Sequence, residues 1–230
     1  MSGVENIEPF TDGFVSALCP ELVLFAGLIL LIIIPNLGKG TVRIPGTQTR
    51  VMWLFGGDRF KLTSNPRLPA WIATITLGAA FVLTMLSFQD GVDRAAIVTD
   101  SGKQLMLVNG FSRVFELIFF GALTLAAFAS MNRLEVRGIG PKLSTNDLYN
   151  NRRQADFYIL MLTCALGMSV VALAQDLFVL FIGLELASFS TYVLVAFYKE
   201  TKAGTEAGMK YFIVGSVASG VGLYGLSMLY

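Results

Sequence analysis

Residues 177–198 read LFVLFIGLELASFSTYVLVAFY, an apolar run whose single acid is Glu185. A spanning helix needs about 20 mostly apolar residues, so this stretch predicts a membrane helix with a carboxylate within a turn of its middle. The side chain cannot reach water across roughly half of a ~30 Å hydrocarbon core. An acid at that depth costs about 2.5 to 3.5 kcal/mol on insertion scales and must be paired, hydrated or protonated. One reading is structural, a carboxylate that joins helices by hydrogen bonds. The preferred reading is functional, because intramembrane carboxylates usually mark ion or proton pathways. At helical spacing Glu185 shares its face with Phe178, Phe181, Ile182, Ser188, Phe189 and Tyr192. The hydroxyls of Ser188 and Tyr192 make that face a candidate hydration stripe. An apolar setting favours the neutral carboxyl and a nearby ammonium the charged one, so a movable lysine would make Glu185 a switchable proton site.

Working outward, five more apolar stretches reach spanning length, near 14–37, 68–88, 110–131, 155–174 and 206–230. The predicted fold class is therefore an all-α polytopic membrane protein with six transmembrane helices in one membrane domain over residues 1–230. Composition agrees: 54% of the 230 residues are hydrophobic and 14% charged, against roughly 25% charged in soluble domains. Seventeen basic and sixteen acidic residues leave a net charge of +1, which argues against a nucleic-acid partner. The absence of histidine excludes the usual general base, zinc ligand and haem ligand within this chain. Cys19 and Cys164, both in or beside apolar runs, are too few for an iron–sulfur cluster and are expected to be buried. No phosphate-binding glycine loop and no nucleophile beside a base occurs. No cofactor and no covalent chemistry are expected in this chain.

The connections fix the orientation. Residues 89–109 hold Ile97, Val98 and Thr99, then Asp100-Ser101-Gly102, then Gln104 to Val108, the pattern of a small exterior β-hairpin. Residues 38–67 and 132–154 are rich in Gly, Pro, Asn and Arg and predict loops, with short surface helices at most. Lys39, Arg43, Arg50, Arg59, Lys61 and Arg67 follow the first helix, five arginines and lysines from Arg133 to Arg153 follow the third, and Lys199 and Lys202 follow the fifth. Cytoplasmic-side loops carry the excess of Lys and Arg, so the acidic N-terminus and the hairpin are expected outside. Glu5, Glu8 and Asp12 also differ from the basic start of a signal or transit peptide, and the first apolar run is expected to be retained.

Other charged residues have simpler expected roles. Lys210 lies about one turn inside the cytoplasmic end of the sixth helix, where snorkelling or an i,i+4 pair with Glu206 competes evenly with a functional role. Small residues from Gly208 to Gly225 predict that this helix is buried among others. Glu116, with Arg113 three residues before it, reads as an interfacial pair. Asp176 is expected to cap the fifth helix, and Glu21 to lie as an N-terminal carboxylate near the outer surface.

The fifth and sixth segments carry a specific resemblance. The order Asp176-Leu177, Gly183-Leu184-Glu185-Leu186, Ser188 and Tyr192-Val193-Leu194, then Thr205-Glu206-Ala207-Gly208-Met209-Lys210-Tyr211-Phe212 and Leu223-Tyr224-Gly225, resembles subunit N of respiratory complex I. That is the proton-translocating NADH:quinone oxidoreductase; the mitochondrial equivalent is NADH dehydrogenase subunit 2. The strong resemblance covers about 155–230; residues 1–154 agree in helix count and hairpin but hold no diagnostic motif. It implies an antiporter-like fold of inverted five-helix repeats, with part of the first repeat over 110–230. It also implies proton-translocating roles for Glu185 and Lys210. NADH, flavin (FMN), iron–sulfur clusters and quinone would belong to other subunits, and the partners would be the other membrane-arm subunits.

The family's next element, a broken seventh helix bearing a lysine, has no counterpart before Tyr230. A split subunit, whose C-terminal half is a second polypeptide, and a truncated product both fit, and the split is expected. Fission of a subunit favours the mitochondrial inner membrane over the bacterial plasma membrane. Two other functions compete: a subunit of a non-redox cation/proton antiporter, built on the same module, and a vestigial scaffold that only seats its neighbours.

Overall fold

The computed structural model describes residues 5–6, 17–36, 41–43, 50–52, 68–88, 94–98, 104–131, 145–197 and 201–229. Six helices follow the six apolar stretches: α1 Cys19–Asn36, α2 Leu68–Phe88, α3 Gly110–Ser130, α4 Thr145–Leu173, α5 Leu177–Val195 and α6 Lys202–Ser227. Helices α2, α3 and α5, together with Gln154–Leu173 of α4, are long and apolar enough to cross a membrane. The apolar part of α1 is shorter, Cys19–Ile33. Helix α6 has 26 residues, about 39 Å at 1.5 Å per residue, but its glycines and serines dilute its apolarity.

Helix α4 begins ten residues before its expected start near 155 and takes in residues 145–154, which were expected to be loop. The added stretch, TNDLYNNRRQ, is polar, so a search for apolar runs cannot see it, although nothing in it breaks a helix. The connection after α1 also departs from expectation. Among its described residues are two short strands, β2 Thr41–Arg43 and β3 Arg50–Met52, paired antiparallel.

The expected hairpin consists of β4, Arg94–Val98, and β5, Gln104–Val108, antiparallel with register shifts around Ile97. Its expected turn, 100–102, lies outside the described residues. Strand β1, Glu5–Asn6, adds to β4 in parallel. The hairpin is fastened to the junction of α4 and α5, where the Gln175 N–H donates to the Leu105 carbonyl at 2.9 Å and Met106 bridges Ala174. Ala17, Leu18, Val108 and Leu173 form a small apolar cluster there. The starts of α1, α3 and α5 thus gather at the same end of the bundle as the close of α4.

Helix α4 is central, packing on α1, α2, α3 and α5. The core between α1, α2, α3 and α4 is built from Leu24, Leu31, Leu77, Phe120, Tyr158 and Leu162 with alanines between them. Those alanines, Ala70, Ala73 and Ala80 on α2, bring the backbones close where no water can reward exposed polar groups. The Tyr158 hydroxyl keeps a partner in this apolar setting, 3.1 Å from Ser130 Oγ.

Candidate functional site

Helix α5 starts where Asp176 caps it. The Asp176 carboxylate accepts the Phe178 N–H at 2.8 Å, satisfying one of the unpaired donors of a helix start. From that fixed point one face of α5 turns to α4. Gly183 and Gly167 allow the contact: a Cβ on Gly183 would lie 2.9 Å from the Val171 backbone nitrogen, and one on Gly167 would lie 2.9 Å from the Ala187 Cα.

A different face of α5 turns to α6. Ala196 lies against Gly208, the Tyr192 ring against Gly215, and Phe181 near Gly222, so the two helices run antiparallel. Glu185 falls on this second face, between the levels of Phe181 and Tyr192. It is half-buried, and among the described residues no hydrogen bond or ion pair holds it. The level of α6 opposite Glu185 lies between Gly215 and Gly222.

Lys210 is at a different level, between those of Ala196 and Tyr192, which puts roughly 14 Å of helix axis between it and Glu185. Its ammonium pairs with Glu206 at 2.6 Å, the two side chains 74% and 56% exposed. The structure therefore brings Glu185 and Lys210 onto facing helices without joining them. Tyr192 is a packing wedge: its ring sits edge-on to Tyr211, centroids 5.1 Å apart, and to Phe212 at 5.9 Å. Ser188 is half-buried on the same helix, and its carbonyl accepts the Thr191 hydroxyl at 2.7 Å.

The expectation that α6 is buried among other helices fails within this chain. Gly208 is its one buried residue, whereas Val214, Val217, Val221 and Tyr224 are more than 60% exposed. The physical reason is that α6 packs on α5 alone among the substantial helix contacts. Gly220 and Gly225 have nothing within reach of an added Cβ.

Charges excluded from the solvent gather elsewhere. Arg113 and Glu116 do pair, at 2.6 Å, and their side chains are only 3% and 0% exposed. Helices α1 and α4 close over them. From α1, Glu21 brings Oε1 to 3.8 Å from Arg113 Nη1. From α4, Ser169 Oγ lies 2.8 Å from Glu21 Oε1 and 2.9 Å from Glu116 Oε1. Arg113 Nη2 also donates to the Ala17 carbonyl. Glu21, expected near the outer surface, is drawn into this cluster. The alternation of helices carried the signal, since it sets the first turns of α1 and α3 and the last turn of α4 at one end. Among the described residues no three His, Cys, Asp or Glu side chains converge on a metal position. Cys164 is buried, and Cys19, expected to be buried as well, is half-buried at the start of α1.

Comparison with known proteins identifies the segment that carries Glu185 and Lys210. The NADH:quinone oxidoreductase/Mrp antiporter transmembrane family matches residues 174–230. NADH-quinone oxidoreductase subunit N of Acidithiobacillus ferrooxidans is 34% identical over 177 residues, 77% of this chain and 32% of that protein. Subunit N of Halorhodospira halophila is 36% identical over 168 residues, 73% of this chain and 31% of its own length. The F(420)H(2) dehydrogenase subunit N of Methanosarcina mazei is 30% identical over 179 residues, 74% of this chain and 32% of that protein. The chain thus spans about a third of the length of the curated relatives it matches.

Proposed function

From its similarity to subunit N of NADH-quinone oxidoreductase, we propose that this integral membrane chain is part of a membrane-arm subunit contributing to proton translocation coupled to quinone reduction. The observation that carries the reading is Glu185: an acid in the middle of a spanning helix, unpaired among the described residues, on the face that α6 covers. Such a group is expensive in hydrocarbon and is retained where a proton or a cation visits it. Glu185 gains or loses a proton as a cationic partner withdraws or approaches. Lys210 is a cation of this chain on the facing helix, eight residues further into it than Lys202, and Ser188 and Tyr192 extend the polar strip from Glu185 toward its level.

Residues 110–230 form part of an antiporter-like repeat in this reading. The open face of α6 receives the rest of that fold, on the same or a second polypeptide, and the remaining surface meets other membrane-arm subunits. NADH, flavin, iron–sulfur clusters and quinone belong to those other subunits, and this chain acts as a translocase element without redox chemistry. The membrane is an energy-coupling one, mitochondrial inner or bacterial plasma, with the hairpin end on its outer side.

A cation/proton antiporter is the second reading, favoured by the matched family, whose description spans both NADH:quinone oxidoreductase and Mrp antiporter. Mass spectrometry of the gently solubilised assembly separates the two. Co-purification of flavin and iron–sulfur subunits is expected. Recovery of the chain alone, or with antiporter-like subunits only, would reject the redox assignment.

A further inference from the structure

The cluster of Glu21, Arg113, Glu116 and Ser169 plays no part in the proposed function and holds one acid too many. Arg113 is 3% exposed and supplies one positive charge against two carboxyls. Its Nη1 donates to Glu116 Oε2 at 2.6 Å, whereas Glu21 Oε1 lies beyond hydrogen-bond distance at 3.8 Å. Glu116 is therefore the ionised partner of the guanidinium. Ser169 Oγ then stands 2.8 Å from Glu21 Oε1 and 2.9 Å from Glu116 Oε1. A hydroxyl owns one hydrogen, and an ionised carboxylate can only accept. Both contacts are full two-centre hydrogen bonds only if one carboxyl is an acid that donates to Ser169. With Glu116 ionised, that acid is Glu21.

One buried atom agrees. Among the described residues Glu21 Oε2 has no hydrogen-bond partner; an unpaired carbonyl oxygen of a neutral acid costs far less than an unpaired oxygen of a buried anion. Among the described residues, the charged and titratable groups in contact at the site are Glu21 of α1, with Cys19 two residues before it, and Arg113 and Glu116 of α3. Helix α4 adds the Ser169 hydroxyl, and α2 carries no acid, base, tyrosine or cysteine.

We propose that Glu21 is a proton-binding site, a neutral carboxylic acid that donates to Ser169, which in turn donates to ionised Glu116. The site is separate from Glu185 and stands whether or not Glu185 works in proton translocation. Its ligand is a single proton, held where α1 and α3 begin and α4 ends. Removing that proton leaves one hydroxyl hydrogen facing two anions and breaks the oriented chain.

Infrared difference spectroscopy of the full chain in lipid bilayers at neutral pH tests this. The wild type is expected to give a carboxylic-acid carbonyl band that shifts in D2O, disappears in Glu21→Gln and survives in Glu185→Gln. A wild-type spectrum with no band that Glu21→Gln removes would overturn the proposal. Ser169→Ala keeps both carboxyls and serves if Glu21→Gln does not fold. The band should then move to higher frequency as the acid loses its acceptor, and an unmoved band would also contradict the proposal.

Discussion

Arg113 and Lys210 carry the same charge and play opposite parts. Arg113 is sealed among three helices with Glu116 and Glu21, and breaking a buried pair leaves an uncompensated charge at a cost of about 3 to 5 kcal/mol. Arg113→Met and Glu116→Gln should each destabilise the chain by that order, read as a large fall in thermal unfolding temperature in detergent. An unchanged midpoint would mean that the pair is solvated. Lys210 holds Glu206 in the open, and such i,i+4 pairs contribute about 0.3 to 0.5 kcal/mol. Glu206→Gln should therefore leave the unfolding midpoint almost unmoved. Of these residues, the pairing of Arg113 with Glu116 was legible, because three residues along a helix are neighbours. The recruitment of Glu21 and Ser169 was not, because spacing within a helix says nothing about which helix stands beside it. Asp176 was legible for the converse reason: a cap acts on its own helix.

At the scale of elements, close packing is concentrated at a few glycines. Gly183 and Gly167 let α4 and α5 approach until an added Cβ would strike backbone atoms of the partner helix, which no side-chain rotation can relieve. Gly183→Val should cost a few kcal/mol by overpacking, measured as loss of thermal stability. Gly220→Ala, with open space around it within this chain, should leave the chain on its own unchanged or more stable by about 0.5 to 1 kcal/mol from helix propensity alone. Equal losses at the two sites would contradict this account of the α4–α5 seam. Apolar runs marked the helices well, with α2 starting and ending at the expected residues 68 and 88. They failed where a helix is polar, at the start of α4, and where backbone pairing needs no apolar pattern, in β2 and β3. The small residues of α6 announced a helix built for close neighbours but could not say whether those neighbours belong to this chain.

For the whole molecule, the hairpin seated on the α4–α5 junction and the basic connections after α1, α3 and α5 belong to opposite ends of the bundle. In a Cys19→Ala, Cys164→Ala background, a cysteine placed at Ser101 should be labelled by an impermeant thiol reagent from the outer side, and one at Lys199 from the inner side. Labelling of both from the same side would rule out this arrangement. The central claim concerns Glu185, the mid-membrane acid on the face between α5 and α6. Proton translocation by the assembled complex carrying Glu185→Gln tests it most directly. The account predicts an assembly of normal composition whose coupled pumping is impaired; normal pumping by the assembled variant would contradict it.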